Sequence, residues 1–235
     1  MAKFQLYGGR DPRQLPAYSV GEAARYLRIP AATLRSWIAG RKYPRQDGVG
    51  SFEPIIRAAD VDRRRLSFEN LIEAHVLRAL RTQHSVDLKS VRPALAYAEE
   101  VLGIERLLLN NEPLLTNGAE LFLDRFGELI NLTRAGQIAI REVLIQHLKR
   151  VERDDAAIPI RLYPFVGAGL PEANRSVVID PRRSFGRPVL VGAGIRTQVI
   201  ADRINAGETV SELADDYELT DEQIRDALVF HQAAA

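Results

Sequence analysis

The chain has 235 residues, 46% of them apolar and 27% charged, a balance typical of globular protein that predicts two or three domains. The charge is unevenly distributed along the chain. The net charge is +1 overall, but it is +7 for residues 1–65 and −7 for residues 197–235. A membrane span and a signal peptide are excluded by the lack of a long apolar stretch, and the absence of cysteine excludes disulfides, thiolate zinc sites and a cysteine nucleophile. We therefore expect a cytoplasmic protein.

The four histidines, His75, His84, His147 and His231, lie far apart without the spacing of paired metal ligands. No convergent acid, base and nucleophile is visible in the sequence. We therefore expect no metal, no cofactor and no enzymatic activity.

The first predicted elements are two short helices separated by a tight turn. Ser19 and Glu22 have the spacing of a capping box, and Pro30 ends the first helix because it lacks an amide proton. A second helix is expected over 31–39 and is closed by Gly40. The pair predicts a helix-turn-helix. The candidate DNA-binding residues are Ser19, Arg28, Thr33, Arg35, Ser36, Arg41, Lys42 and Arg45.

A wing is expected after the second helix. Residues 48–51 have the composition of a turn, and 52–56 is an extended run that would return against the preceding segment. The arginines and lysine near this turn, with Arg57, would then meet DNA phosphates. A long helix is expected over 66–83. The alternative is a small helical hairpin with a solvated basic face.

This N-terminal segment resembles the MerR-like winged helix-turn-helix. The similarity lies in 18–27 as the first helix, 33–37 as the second and 66–80 as the helix that follows the wing. Downstream the chain departs from that family, whose sensing members carry a long dimer helix and an effector site. A homodimer is expected because helix-turn-helix proteins usually read two half-sites, with the helices over 66–83 and 88–102 as candidate interfaces.

The middle of the chain predicts a small α+β region. An amphipathic helix is expected over 88–102, and apolar runs at 106–110, 120–124 and 129–132 predict strands between turn signals. A further helix is expected over 135–151. The charged positions of this region are most simply a solvated surface.

Two Gly-Ala-Gly sequences, at 167–169 and 192–194, are similar to part of a dinucleotide-binding loop. Both lack the third glycine of that motif, and too few residues follow the second for a doubly wound sheet. We expect tight turns with positive φ instead.

The C-terminal segment predicts a hairpin followed by three helices with a homeodomain-like spacing. The β-branched runs at 177–179 and 189–191 are joined by 180–188, which places three arginines at the tip. Capping boxes at Thr209 and Thr220 open the last two helices. The acidic residues of these helices argue against DNA contact because phosphates would repel them.

This segment also resembles the short antitoxin-associated domain found beside PIN-like ribonuclease toxins. The similarity lies in 178–190, Ile195, Thr197, 206–208 and 213–217. It implies an antitoxin of a Vap-type pair that binds and neutralises the ribonuclease and represses its own operon. The toxin-binding residues that it implies are Arg182, Arg183, Ser184, Phe185 and Arg187.

Three of those residues are arginines, which could pair with the metal-holding carboxylates of such a nuclease. A basic loop that binds nothing, or one that touches DNA phosphates, remains open.

The sequence thus predicts a mainly α protein with small β elements, of the α+β class, in four segments: an N-terminal arm (1–17), a winged helix-turn-helix (18–84), a middle α+β region and linker (85–174) and a toxin-binding domain (175–235). The expected partners are a PIN-like ribonuclease toxin, operator double-stranded DNA and a second copy of the chain. The alternative is a MerR-like transcription regulator that responds to a small-molecule effector.

Overall fold

The structure is a computed structural model, and it describes residues 7–45, 48–82, 88–101, 103–110, 145–165 and 175–232. Over these ranges the fold is mainly α-helical with two-stranded antiparallel sheets. None of the helices in the described ranges is long and apolar enough to cross a membrane.

The N-terminal half begins with the two predicted helices. Its elements are α1 (Val20–Leu27), α2 (Ala31–Ala39), β1 (Arg41–Arg45), β2 (Gly48–Phe52), α3 (Phe68–Thr82) and α4 (Leu88–Glu100). The predictions of α1, α2 and the long helix α3 are confirmed. Tyr18, just before α1, exchanges two backbone hydrogen bonds of 2.9 and 2.8 Å with Leu66, so the start of α1 is tied to the segment that leads into α3.

The wing differs from the prediction. The run 48–51 belongs to strand β2, which pairs antiparallel with β1, and the chain after Phe52 is a loop. The prediction was wrong because its glycines suggested a turn, whereas here Gly50 lies inside the strand, opposite Tyr43. The Tyr43 ring stacks on Phe52 with 4.4 Å between ring centroids, which fixes the register of the hairpin.

The middle region is described only in part. The predicted strand at 106–110 is wrong, since the chain forms a turn in which the amides of Leu109 and Asn110 both donate to the Arg106 carbonyl. The predicted strands at 120–124 and 129–132 lie outside the described residues. The predicted helix over 135–151 lies mostly outside them as well.

The end of that predicted helix is also wrong, because its last residue begins a strand. Strand β3 (Val151–Arg153) pairs antiparallel with β4 (Pro159–Leu162). The β3–β4 pair continues into the C-terminal half through two backbone hydrogen bonds between Leu162 and Ile179.

The C-terminal half confirms the predicted hairpin and helices. Its elements are β5 (Val177–Val178), β6 (Val189–Leu190), α5 (Thr197–Asn205), α6 (Val210–Tyr217) and α7 (Asp221–Gln232). Strands β5 and β6 are antiparallel, and Gly192 and Gly194 have φ values of +93° and +69°, as expected for turn glycines. The Gly-Ala-Gly at 167–169 lies outside the described residues.

Helices from both ends of the chain share one hydrophobic core. Trp37 and Leu71 from the N-terminal half belong to the same buried cluster as Ile224 and Phe230 of α7. The ring of Tyr26 stacks on Phe230 with 6.2 Å between centroids. An aromatic pair of this kind contributes about 0.5–1.5 kcal/mol beyond the area it buries. The two ends are therefore packed against each other rather than separated by the middle region.

Candidate nucleic-acid interface and partner-binding loop

The N-terminus of α1 is closed by the predicted capping box. The Ser19 hydroxyl accepts from the Glu22 amide at 3.2 Å, and the Ser19 amide donates to the Glu22 carboxylate at 2.8 Å. Burial raises the pKa of Glu22, but the hydrogen bonds from Ser19 and Arg187 outweigh it and hold that pKa below its usual range. Ser19 therefore acts in the chain as the cap of α1.

Helix α2 presents one strongly exposed basic side chain. Leu34, Trp37 and Ile38 are buried. Arg35, which follows Leu34 in the sequence, is exposed. Thr33 and Ser36 are half-buried, and the Ser36 hydroxyl donates to the Thr33 carbonyl at 2.7 Å. Arg35 is thus the α2 side chain best placed to reach a base edge or a phosphate.

The β1–β2 hairpin carries further positive charge. Arg41 and Lys42 are exposed on β1 and Arg57 is exposed in the loop after β2, whereas the side chain of Arg45 lies outside the described part of the structure. The hairpin is braced by α4, because the Arg92 guanidinium lies 5.5 Å from the centre of the Phe52 ring and bonds to the Glu53 carbonyl.

Arg28, another predicted DNA-binding residue, contacts the C-terminal half. It ends α1 in a left-handed conformation with φ +53°, and its guanidinium donates to the Val229 carbonyl of α7 at 3.5 Å. Burial lowers the pKa of Arg28. The residue therefore links α1 to the C-terminal half.

Residues 180–188, which we call the arginine loop, have an unusual backbone. Ser184, Phe185 and Gly186 are successive left-handed residues with φ values of +47°, +54° and +73°. Each such residue with a Cβ costs about 1–2 kcal/mol. The loop nevertheless presents Phe185, which is 57% exposed, beside the exposed Arg182 and Arg183, while Ser184 is half-buried.

Three contacts hold this strained conformation. The buried Asp180 carboxylate accepts from the Arg182 amide at 2.8 Å, and the Tyr7 hydroxyl donates to the Pro181 carbonyl at 3.0 Å. The buried Tyr18 hydroxyl donates to the Gly186 carbonyl at 3.0 Å. Two of these donors come from the N-terminal 18 residues, so the loop is shaped by the opposite end of the chain.

Arg187 is directed inward from the same loop. Its guanidinium forms an ion pair with Glu22 of α1 and lies 3.5 Å from the Tyr26 hydroxyl. Burial opposes the charged form, but these partners raise the pKa of Arg187 overall. Of the three arginines predicted at the tip, two are exposed there and the third joins the loop to the first helix of the helix-turn-helix.

Two histidines that are distant in sequence meet in the core. His75 and His147 are buried with 5.0 Å between ring centroids, and His75 Nε2 lies 3.0 Å from the His147 carbonyl oxygen. Burial first, and then the neighbouring His147, lower the pKa of His75, so this ring is neutral at physiological pH. Within the described ranges, no three histidine, aspartate or glutamate side chains converge as a metal site would require.

The last two helices present an acidic surface. Glu212, Asp215, Glu218 and Glu222 are exposed on or beside α6 and α7. Their charge is opposite in sign to that of Arg35 and of the β1–β2 hairpin, and it would repel the phosphates of a polyanion.

Family models match both parts of the chain. Residues 16–95 match a family described as "Putative DNA-binding HTH domain", and residues 177–231 match one described as "Protein of unknown function (DUF433)".

Relatives of similar length occur in Mycobacterium tuberculosis. The protein named "Uncharacterized protein Rv2308" is 27% identical, with 90% of this chain and 88% of that one covered. The crystal structure of Rv2018 superposes with a TM-score of 0.64 at 30% identity, covering 91% of this chain and 97% of that one. The protein named "Putative antitoxin VapB45" is 34% identical, with 91% of this chain and 93% of that one covered. This chain therefore belongs to the same family as that Mycobacterium tuberculosis protein.

Proposed function

We propose that this chain is an antitoxin that neutralises a PIN-like ribonuclease toxin through its arginine loop and represses its own operon through α1, α2 and the β1–β2 hairpin. The observation that carries the proposal is the arginine loop itself, in which a strained backbone holds an exposed aromatic side chain beside two exposed arginines. Strain of this kind is retained where surrounding structure compensates for it, and it concentrates at binding sites. The name of the relative at 34% identity supports the same conclusion.

The DNA-binding part is proposed to be a MerR-like winged helix-turn-helix. Arg35 would contact base edges from α2, and Arg41 and Lys42 would contact phosphates. A homodimer would place two copies of α2 on two half-sites. Residues 18–84 are the proposed limits of this domain, and 175–235 are those of the toxin-binding domain.

In the toxin-binding part, the arginine loop presents aromatic and arginine side chains. Residues of these kinds often contribute most of the binding energy of protein interfaces. Phe185 would enter an apolar depression of the toxin, and Arg182 and Arg183 would pair with the carboxylates of the nuclease site. Ser184 would contribute a hydrogen bond. We assign Arg187 a positioning role, because its guanidinium is engaged by Glu22.

The test is co-expression of the full chain with the product of the neighbouring open reading frame. We expect the two to co-purify and the ribonuclease activity of the neighbour to be inhibited. An Arg182→Ala/Arg183→Ala double variant and a Phe185→Ala variant should each weaken inhibition at least ten-fold. Arg225→Ala, which removes an exposed arginine from α7, is the matched control and should inhibit normally. Full inhibition by both loop variants would refute the assignment.

A second candidate function is an effector-responsive regulator. A cavity of about 640 Å³ lies between α3, α4 and the turn at 107–108, with the buried Glu73 and the half-buried Leu95 in its lining. Its volume is in the range of small-molecule sites. This alternative predicts operator affinity that changes with a metabolite and no toxin beside the gene. Co-purification of an active ribonuclease would favour the antitoxin.

A further inference from the structure

A separate cavity lies where the first helix meets the C-terminal helices. Its volume is about 370 Å³, and its walls come from α1, from the end of the arginine loop and from α5 and α7. Of the arginine loop only the inward-directed Arg187 and the buried Pro188 line it, whereas the exposed Arg35 and Phe185 do not. Small-molecule sites occupy cavities of roughly 300–1,000 Å³ and favour the junction of two structural units.

The lining of this cavity carries a net positive charge, with three arginines against two acids. Arg25, Arg187 and Arg196 line it, together with Glu22 and Asp202. The Glu22 carboxylate is occupied by its capping bonds and by Arg187. Asp202 accepts from the side-chain amide of Gln198 at 2.7 Å. Once Arg187 and Glu22 are paired, Arg25 and Arg196 stand against the single carboxylate of Asp202, which leaves a net positive charge for a ligand.

Arg25 gives the most direct indication of a missing partner. Its Nε atom is buried and has no hydrogen-bond partner among the described residues. A buried donor without an acceptor is unfavourable, and an anion in the cavity would supply one. Arg196, the other arginine, stands at the N-cap of α5 without a side-chain cap, so the first turn of that helix also favours negative charge there.

The rest of the cavity lining is largely apolar and aromatic. Tyr26 and Phe230, which stack on each other, and Val199 contribute to the wall. His231 also lines the cavity, and burial first, then the charge of Arg25, lower its pKa. At physiological pH the cavity therefore offers the charges of Arg25 and Arg196, opposed by the carboxylate of Asp202, beside a neutral imidazole and aromatic rings.

We propose that this cavity binds a small organic anion in which a phosphate or carboxylate group is attached to a ring. Arg25 and Arg196 pair with the anionic group, and the ring lies against Tyr26 and Phe230. Because the walls come from both ends of the chain, the ligand stabilises the packing of α1 against the C-terminal helices. The proposal is independent of the toxin and of the operator.

The test is thermal unfolding of the full chain with phenyl phosphate, at ionic strength matched with sodium chloride. We expect a rise of about 3–6 °C in Tm at ten times the dissociation constant, which increases with the logarithm of the ligand concentration. The rise should be lost in an Arg25→Ala/Arg196→Ala double variant and kept in the Arg225→Ala control. Isothermal titration should give one site per chain in the parent and none in the double variant.

If the double variant does not fold, the single variant Arg196→Gln replaces it in the test, because Arg196 is exposed. Its dissociation constant should be at least ten-fold higher than that of the parent. A rise that sodium chloride reproduces, or one that survives both variants, overturns the proposal. Fluorescence anisotropy with a non-specific DNA duplex tests whether the two arginines bind the phosphates of DNA instead of a small ligand. Duplex binding that falls in the double variant, without any effect of phenyl phosphate on the parent, would assign the two arginines to the DNA backbone and overturn the small-ligand site.

Discussion

The junction between Tyr18 and Gly186 gives the sharpest test of how the two ends of the chain are joined. A Cβ added at Gly186 would lie 2.1 Å from the Tyr18 hydroxyl oxygen, at a backbone φ of +73°. Gly186→Ala should therefore destabilise the fold by about 2–5 kcal/mol, combining the left-handed backbone with overpacking. Tyr18→Phe removes the buried hydrogen bond to the Gly186 carbonyl and should cost about 1–3 kcal/mol.

The double variant separates the contact from the general effect of each substitution. Without the hydroxyl, the nearest Tyr18 atom to the new Cβ is a ring carbon at 3.0 Å, so part of the overlap disappears. The double variant should then be more stable than the sum of the single variants predicts, by at least about 1 kcal/mol. Gly194→Ala is the matched control, because Gly194 has a φ of +69° and open space around its Cβ position.

The measurement is urea unfolding followed by the fluorescence of Trp37, the single tryptophan, which is buried in the N-terminal half. Stability follows from the unfolding midpoint and slope. The reasoning fails if Gly186→Ala costs no more than Gly194→Ala. It also fails if the effects of the Tyr18 and Gly186 substitutions add within about 0.5 kcal/mol, as those of independent sites do.

Three further predictions concern the DNA-binding surface and its support. Arg35→Ala should weaken binding to the operator by about 1–3 kcal/mol in a gel-shift titration, while Arg225→Ala leaves it unchanged; equal affinities for all three proteins would show that α2 does not read DNA. Arg41→Ala should lower the slope of log affinity against log salt concentration by about 1, and an unchanged slope would argue against a phosphate contact.

The third of these predictions concerns pH. The depressed pKa of Glu22 stabilises the fold at pH values above the ordinary carboxyl pKa of 4.5, and this contribution is lost as the pH falls through the lower folded-state pKa. Glu22→Gln should therefore be less stable than the parent at pH 7, with a difference that shrinks in acid. A constant difference from pH 7 to pH 3 would contradict that account.

Local sequence patterns determined much of the secondary structure and the exposure of Arg35 on α2. The capping boxes at Ser19 and Thr209, the break at Pro30 and the β-branched runs around the arginine loop each act over a few residues, so they can be recognised from the sequence. Helical periodicity likewise predicted that Arg35 faces outward while Trp37 faces inward.

The tertiary structure alone decided what brings the two ends together. The bond from Tyr18 to Gly186 spans 168 residues and the ion pair from Arg187 to Glu22 spans 165, and no local period connects such positions. For the same reason, the sequence did not predict the buried contact of His75 with His147 or the inward direction of the Arg187 side chain. Caps, turns and amphipathic faces are set by neighbours in the chain, whereas the direction of a charged side chain depends on which distant surface packs against it.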